Sequence, residues 1–175
     1  MWPELTGKPL ENERSATMAI AVGDSAPDFE VKNQHGQLVH LGGLLENEPV
    51  MVVFVPLAFS ATCTSEVETL QRERQRFVAA GLTVVVISVD STATLRAWAD
   101  AGSYDFSLLS DFWPHGAVAR SFGVLREDKG FASRASFLVD RSGTVRCVIE
   151  APLDGIREFS QYEDAISLME IAEWS

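Results

Sequence analysis

The chain has 175 residues, a formal net charge of −11 and 46% hydrophobic residues. This length fits one domain with a substantial core, and the acidic balance argues against a nucleic acid or an anionic membrane surface as a partner. The longest apolar stretch, residues 49–59, is far shorter than the ~20 residues that a membrane-spanning helix needs.

Residues 1–17 are polar and contain two prolines, with no apolar core that would indicate a secretory signal. A second methionine, Met18, stands where the regular pattern begins. We therefore expect residues 1–17 to be a flexible extension or to precede the true start, although Trp2 could dock on the body. A single domain is expected over residues 18–175.

The first half of the chain predicts a β-hairpin, then a strand, a helix and a strand. The hairpin surrounds a turn at residues 33–36. Two continuous apolar runs, residues 50–55 and 82–89, are typical of strands that are covered on both faces. The helix between them is expected over residues 63–80, with its apolar positions on one face and Gly81 as its end.

The second half predicts further alternation of helices and strands. The expected elements are a helix capped by Ser91 to about residue 101, a strand at 107–109, a short helix ending near Gly123, a hairpin of 135–139 and 144–149, and a helix from a capping box at 160–163 to about Glu173. This order predicts a mixed sheet with helices on both faces, which a thioredoxin-like α/β sandwich satisfies. Chemistry in such folds usually lies at the carboxyl end of a central strand, where Cys63 stands.

Cys63 lies at the junction between a buried strand and a helix. The first turn of a helix has unpaired backbone N–H groups and carries the positive end of the helix dipole. A thiol in that position ionises more readily than free cysteine, and the thiolate is the nucleophile. We expect Pro56 and Phe59 to form a partly apolar pocket around the sulfur. Ser60, one turn earlier, can hydrogen-bond the thiolate or a small oxygen-bearing substrate.

Glu66 lies on the same helical turn and would oppose ionisation of the thiol unless a cation neutralises it. Arg134 is the candidate cation, because it opens a central strand and can lean over the Cys63 loop. Its guanidinium supplies charge and directed donors, so it can stabilise both the thiolate and a leaving oxygen. A polarised O–O bond suits this site. Thiolate attack on a peroxide would release water or an alcohol and leave a sulfenic acid.

The spacing Pro56-x-x-x-Ser60-x-x-Cys63, followed by Glu66 and later by Arg134, resembles the peroxiredoxin motif Pro-x-x-x-Thr/Ser-x-x-Cys with its distant arginine. Further segments resemble the one-cysteine alkyl hydroperoxide reductase E (AhpE) type of this family. They are residues 56–59, 108–118, 122–124 and 139–143. The resemblance extends from about residue 22 to about residue 148.

This resemblance implies a thioredoxin fold, reduction of hydrogen peroxide and organic hydroperoxides, and assembly into homodimers or larger rings. Pro56 would shield the sulfur and Ser60 would orient the peroxide. Cys63 would attack while Arg134 stabilises the transition state. An external thiol would then reduce Cys63, either a low-molecular-weight thiol such as mycothiol with a mycoredoxin-like (glutaredoxin-like) partner, or a thioredoxin. Thr64 departs from the family pattern, in which proline usually follows the cysteine.

The second cysteine, Cys147, has two interpretations. Alternation places Val145 and Cys147 on one face of a strand, which favours a small core residue. The alternative is a resolving thiol that condenses with an oxidised Cys63. With only two cysteines and no Cys-x-x-Cys pair, the chain lacks a disulfide framework and fits a reducing, cytoplasmic compartment.

Trp113 and His115 lie in a loop that we expect near the active site or an interface, with Trp113 in a supporting role. Neither residue has the spacing of a metal ligand, and no pattern indicates a bound cofactor. Two other functions stay open. One is a thioredoxin-fold binding or chaperone module with an incidental cysteine. The other is a disulfide oxidoreductase, which is disfavoured because the partner cysteine of dithiol exchange is missing.

Overall fold

A computed structural model describes residues 18–172 of the chain. The expectations for residues 1–17, and for an end of the last helix at Glu173, lie outside this range. The helices and strands are, in order, β1 (Glu30–Asn33), β2 (Leu38–His40), α1 (Leu41–Leu45), β3 (Val50–Phe54), α2 (Ala61–Arg72), α3 (Arg74–Ala79), β4 (Thr83–Ser88), α4 (Thr92–Gly102), β5 (Ser107–Ser110), α5 (Ala117–Ser121), β6 (Leu125–Arg126), β7 (Phe131–Ala132), β8 (Arg134–Val139), β9 (Val145–Ala151) and α6 (Phe159–Ile171).

Seven of these strands form one mixed sheet in the order β2-β1-β5-β4-β3-β8-β9, while β6 and β7 pair separately. The central strands β3, β4 and β5 are parallel, so their carboxyl ends meet at one edge of the sheet. β8 runs antiparallel to β3, and Phe54 pairs with Ala135. Arg134, the first residue of β8, therefore lies at the edge where β3 ends.

Helices cover both faces of this sheet, and β3 is buried along its whole length. Met51 and Val53 face a core that also includes side chains of α2, α3, α4 and α6. Val52 and Phe54 face the opposite core, against α1 and α5. The mixed sheet, the helices on both faces and the N-terminal hairpin predicted from the sequence are confirmed. Within residues 18–172, no helix has the length and apolar character needed to cross a membrane.

Two helices differ from expectation. The single helix expected over residues 63–80 is two helices, α2 and α3, because Glu73 leaves helical geometry with φ −93° and ψ 8°. The last helix is capped at Glu158 rather than at Ser160, and the Gln161 side chain accepts the backbone N–H of Glu158 at 3.0 Å. The short elements α1, β6 and β7 were not expected, since two to five residues are too few for periodicity to identify.

A β-bulge in β9 changes the placement of Cys147. Val139 pairs with Val145 whereas Leu138 pairs with Cys147, which leaves Arg146 as an additional residue between them. Val145 therefore packs in one core and Cys147 packs against the other. The prediction that both residues share one face is wrong, because the bulge breaks the two-residue period of the strand.

Candidate active site

α2 begins directly after Ser60 and carries Cys63 in its first turn. The backbone of Ser60 is extended, and its Oγ accepts the N–H of Cys63 at 3.3 Å. This bond satisfies one of the otherwise unpaired N–H groups at the start of the helix. Cys63 has no exposed surface. The structure therefore places the thiol at a helix N-terminus, as predicted, and gives Ser60 a capping role.

The loop between β3 and α2 is fixed from outside. The carboxylate of Asp90, which follows β4, accepts the N–H of Ala58 at 2.7 Å. Pro56 is buried, as a residue that shields the sulfur would be. Phe59 differs from its expected place in an apolar pocket. It has a left-handed backbone (φ 63°) and is 54% exposed, with its ring centroid 6.3 Å from that of Trp98.

Arg134 bridges the thiol and the carboxylate. Its Nη1 donates to Cys63 Sγ at 3.5 Å and to Glu66 Oε2 at 2.6 Å. Its Nε donates to the carbonyl of Leu153 at 2.9 Å, which fixes the guanidinium plane. The side chains of Arg134 and Glu66, which form this ion pair, are almost completely buried. The three residues that the sequence predicted to act together therefore lie in direct contact.

A second arginine, Arg157, completes the cluster and was missed by the sequence interpretation. Its backbone N–H and Nε both donate to Glu66 Oε1, at 2.8 and 3.0 Å, and its Nη2 donates to Oε2 at 2.9 Å. Its Nη1 donates to the carbonyl of Phe54 and to Ser136 Oγ, each at 2.9 Å. Arg157 thus ties the Glu66 carboxylate to the end of β3 and to β8.

One feature of the sequence could have identified Arg157. It is the only lysine or arginine among residues 150–175, a stretch that is otherwise acidic. It also follows β9, which runs antiparallel to β8 and therefore ends at the same edge of the sheet as β3. A single cation that lies at the same sheet edge as a buried carboxylate is a candidate for an ion pair with that carboxylate.

Two arginines keep the Glu66 carboxylate ionised. Burial by itself would raise the pKa of this carboxyl. The hydrogen bonds and charge of Arg157, together with the charge of Arg134, overcome that effect and hold the pKa below its ordinary value. Glu66 is therefore ionised at neutral pH. Two guanidinium groups facing one carboxylate leave one positive charge available to a thiolate at Cys63.

A family model described as AhpC/TSA matches residues 22–148. The chain belongs to the AhpC/TSA family. Alkyl hydroperoxide reductase E of Mycobacterium tuberculosis is 38% identical over 150 residues, which cover 86% of this chain and 98% of the relative. The sequence resemblance to peroxiredoxins, and to the AhpE type among them, is thereby confirmed.

Solved structures agree with this assignment to the AhpC/TSA family. AhpC of Enterococcus faecalis superposes with a TM-score of 0.79 at 27% identity, covering 88% of this chain and 94% of that one. Peroxidoxin BcpB of Mycobacterium tuberculosis superposes with a TM-score of 0.76 at 29% identity, covering 87% and 97%. The predicted thioredoxin-like fold is confirmed.

Three residues that the sequence analysis discussed lie apart from the charged cluster of this AhpC/TSA protein. Trp113 is 82% exposed and lines an open cavity of about 470 Å³ beyond the end of β5, together with Lys32 and Phe112. Cys147 is partly buried on β9, and both cysteines are free thiols. Burial, and then the negative charge of Asp164, raise the pKa of the Cys147 thiol. His115, near Trp113, donates to the carbonyl of Gly130.

The geometry of this AhpC/TSA site suits attack by a thiolate on a substrate in which one oxygen gains negative charge as its bond breaks. The Cys63 thiol lies at a helix N-terminus, and a guanidinium N–H of Arg134 donates to it. That guanidinium is held by a carboxylate and a backbone carbonyl, so it needs little reorganisation during the reaction. Residues 18–172 hold no group of three or more His, Cys, Asp or Glu side chains arranged to bind a metal.

Proposed function

We propose that this protein is a thiol-dependent peroxidase that reduces hydrogen peroxide and organic hydroperoxides at Cys63. The observation that carries the proposal is the position of Arg134 Nη1, 3.5 Å from Cys63 Sγ and 2.6 Å from Glu66 Oε2. A donor in this position can stabilise the thiolate first and the leaving oxygen afterwards. Membership of the AhpC/TSA family supports the same reaction.

In the proposed reaction the Cys63 thiolate attacks the terminal oxygen of the peroxide. An S–O bond forms as the O–O bond breaks, and the leaving oxygen takes a proton and departs as water or an alcohol. Cys63 becomes a sulfenic acid. Arg134 stabilises the charge on the leaving oxygen, the Ser60 hydroxyl orients the peroxide and Pro56 keeps bulk water from the sulfur. Glu66 holds Arg134 in position.

We further propose a one-cysteine mechanism. An external thiol attacks the sulfenic acid, an S–S bond forms, and water is released. Two observations support a reaction in which Cys147 takes no part. Its thiol pKa is raised, so the reactive thiolate is disfavoured, and its side chain packs against the core on β9. The external thiol is either a low-molecular-weight thiol such as mycothiol, working with a mycoredoxin-like protein, or a thioredoxin. Because recycling consumes reduced thiols, we place the protein in a reducing, cytoplasmic compartment.

Intact mass measurement after one equivalent of peroxide tests both proposals. In the presence of a sulfenate-specific reagent, the wild type and Cys147→Ser should each gain one adduct, and Cys63→Ser should gain none. With an added thiol, the wild type should instead gain one mixed disulfide at Cys63. A wild type that gains no adduct would favour a binding or chaperone module. A Cys63–Cys147 disulfide would contradict the one-cysteine mechanism but not the peroxidase function.

We also propose that the chain forms a homodimer through a patch of four apolar side chains. They lie in loops that follow β3 and β5 at the same edge of the sheet, and they are Leu57, Phe59, Phe112 and Trp113, between 40% and 82% exposed. Large apolar side chains exposed at one edge of a fold are typical of protein interfaces. Sedimentation should detect a dimer for the wild type and monomers for Trp113→Glu; a monomeric wild type would contradict this assembly.

A further inference from the structure

The proposed reaction requires two partners of different size to reach the same buried sulfur. Cys63 has no exposed surface. A peroxide is small enough to reach it through slight movements of side chains. An external thiol must align its own sulfur with the sulfenic acid, and its attached group needs room. The first turn of α2 must therefore open during recycling, and whatever holds that turn closed controls the step.

Bonds within the chain segment hold the turn only locally. Ser60 Oγ accepts the N–H of Cys63, and the Ser60 carbonyl accepts the N–H of Thr64 at 2.9 Å. Two contacts join the turn itself to other segments: Arg134 donates to Cys63 Sγ, and Trp98 on α4 donates from Nε1 to Thr64 Oγ1 at 3.2 Å. The ring of Trp98 also faces Phe59 at a centroid distance of 6.3 Å. One side chain thus contacts both flanks of Cys63.

Trp98 is itself firmly anchored, so it provides a fixed point for the turn. It is 1% exposed, and the ring of Tyr104 meets it edge-on at 5.6 Å. Tyr104 in turn stacks on Phe106, with the two ring planes only 8° apart. The start of α4 is capped by Ser91, whose side chain accepts the N–H of Thr94. Movement at this contact is therefore expected on the Thr64 side.

We propose that Thr64 and Trp98 form a latch that controls how often the first turn of α2 opens. The inference rests on the peroxidase function proposed above. While the hydrogen bond is made, Cys63 stays beside Arg134, where it reacts with peroxide. When the bond breaks, the turn can carry the oxidised sulfur to an external thiol. Thr64 is thus a positioning residue for recycling, and a proline at this position would offer Trp98 no acceptor.

The latch also decides the fate of the sulfenic acid when peroxide is abundant. In the closed site a second peroxide can transfer one oxygen to the sulfur, forming a sulfinic acid and releasing water or an alcohol. In the open turn the sulfenic acid meets the external thiol and forms a mixed disulfide. Because the two reactions compete for one intermediate, a weaker latch favours recycling over irreversible oxidation.

Thr64→Val tests the latch, because valine keeps the shape of threonine and removes the acceptor. We expect opening to become about 2- to 10-fold more frequent, the range expected for the loss of one hydrogen bond. Alkylation of Cys63 in a Cys147→Ser background, and reduction of the sulfenic acid by a thiol, should accelerate by that factor. The oxidation of Cys63 by peroxide should stay near its wild-type rate. Thr64→Ser, which keeps the hydroxyl, should restore both wild-type rates.

Alkylation of Cys147, which lies on β9, serves as the control that distinguishes opening of the Cys63 turn from a general loss of stability. In a Cys63→Ser background it should proceed at the same rate with and without the Thr64→Val substitution. Equal acceleration at both cysteines, or wild-type alkylation of Cys63 in Thr64→Val, would overturn the latch. Failure of Thr64→Ser to restore the rates would overturn it too. A wild type that peroxide does not oxidise would instead refute the peroxidase function, while alkylation would still report on the latch.

Discussion

Replacing Arg134 with methionine is expected to slow the oxidation of Cys63 by peroxide by about 10²- to 10³-fold, the usual effect of removing one donor that stabilises a developing oxyanion. Methionine keeps much of the side-chain volume and removes both the charge and the N–H groups. The Cys63 sulfur then loses its 3.5 Å contact, and the leaving oxygen loses its stabilising cation. Stopped-flow measurement of the bimolecular rate with hydrogen peroxide checks this expectation.

Two further variants make the result specific to Arg134. Arg134→Lys retains a charge without the planar fork of donors, so its rate should fall between those of the wild type and Arg134→Met. Arg141→Met makes the same chemical change in the turn between β8 and β9, at the opposite end of β8, and should react as the wild type does. A folded Arg134→Met protein with the wild-type rate would contradict the proposed role of the guanidinium.

Replacing Arg157 with methionine should lower the free energy of unfolding by about 3–5 kcal/mol, as expected when a buried ion pair loses one partner. Arg157 is 4% exposed and makes three hydrogen bonds to Glu66. Only the two from its side chain disappear in the variant, but the carboxylate then stays buried with Arg134 as its remaining cation. The carbonyl of Phe54 and the hydroxyl of Ser136 lose a donor as well. Urea denaturation at neutral pH measures the loss.

The pH dependence of this loss has a definite sign. Burial alone would raise the pKa of Glu66, but the bonds and charge of Arg157 and the charge of Arg134 hold it below its ordinary value of 4.5. The stabilisation from ionised Glu66 is therefore complete above about pH 4.5 and is lost as the pH falls through the folded-state pKa. The difference in stability between the wild type and Arg157→Met should shrink over that acidic range.

A double variant separates the uncompensated charge from other effects of Arg157. Adding Glu66→Gln to Arg157→Met removes the poorly compensated carboxylate, so the double variant should recover part of the lost stability. A loss of about 1 kcal/mol or less in Arg157→Met, the value typical of an exposed ion pair, would show that Glu66 does not depend on Arg157.

Local patterns in the sequence were sufficient for the parts of the site that lie on one segment. The apolar run of β3 and the hydroxyl of Ser60 place Cys63 at the start of a helix, because a buried strand and an N-cap can both be recognised from a few neighbouring residues. The position of Arg134 could be predicted from the sequence for a related reason. Arg134 opens a predicted strand of the central sheet, and antiparallel pairing with β3 brings its start to the end of β3.

The parts that were missed depend on register and on distant segments. The bulge at Arg146 shifts Cys147 by one position, and a period of two along the sequence cannot reveal an inserted residue. Arg157 reaches Glu66 across 91 positions of the chain. The bond between Thr64 and Trp98 joins two helices whose relative placement follows only from the packing of the core. Each of these features needs the tertiary structure.

The paired arginines also make the site's net charge depend on its oxidation state. With a thiolate at Cys63, the two guanidinium groups are balanced by the thiolate and Glu66. Conversion of the sulfur to a neutral sulfenic acid leaves an uncompensated positive charge inside a protein whose overall charge is −11. In the proposed reaction, oxidation of Cys63 therefore creates local attraction for the thiolate form of the reductant, and it does so only after peroxide has been consumed.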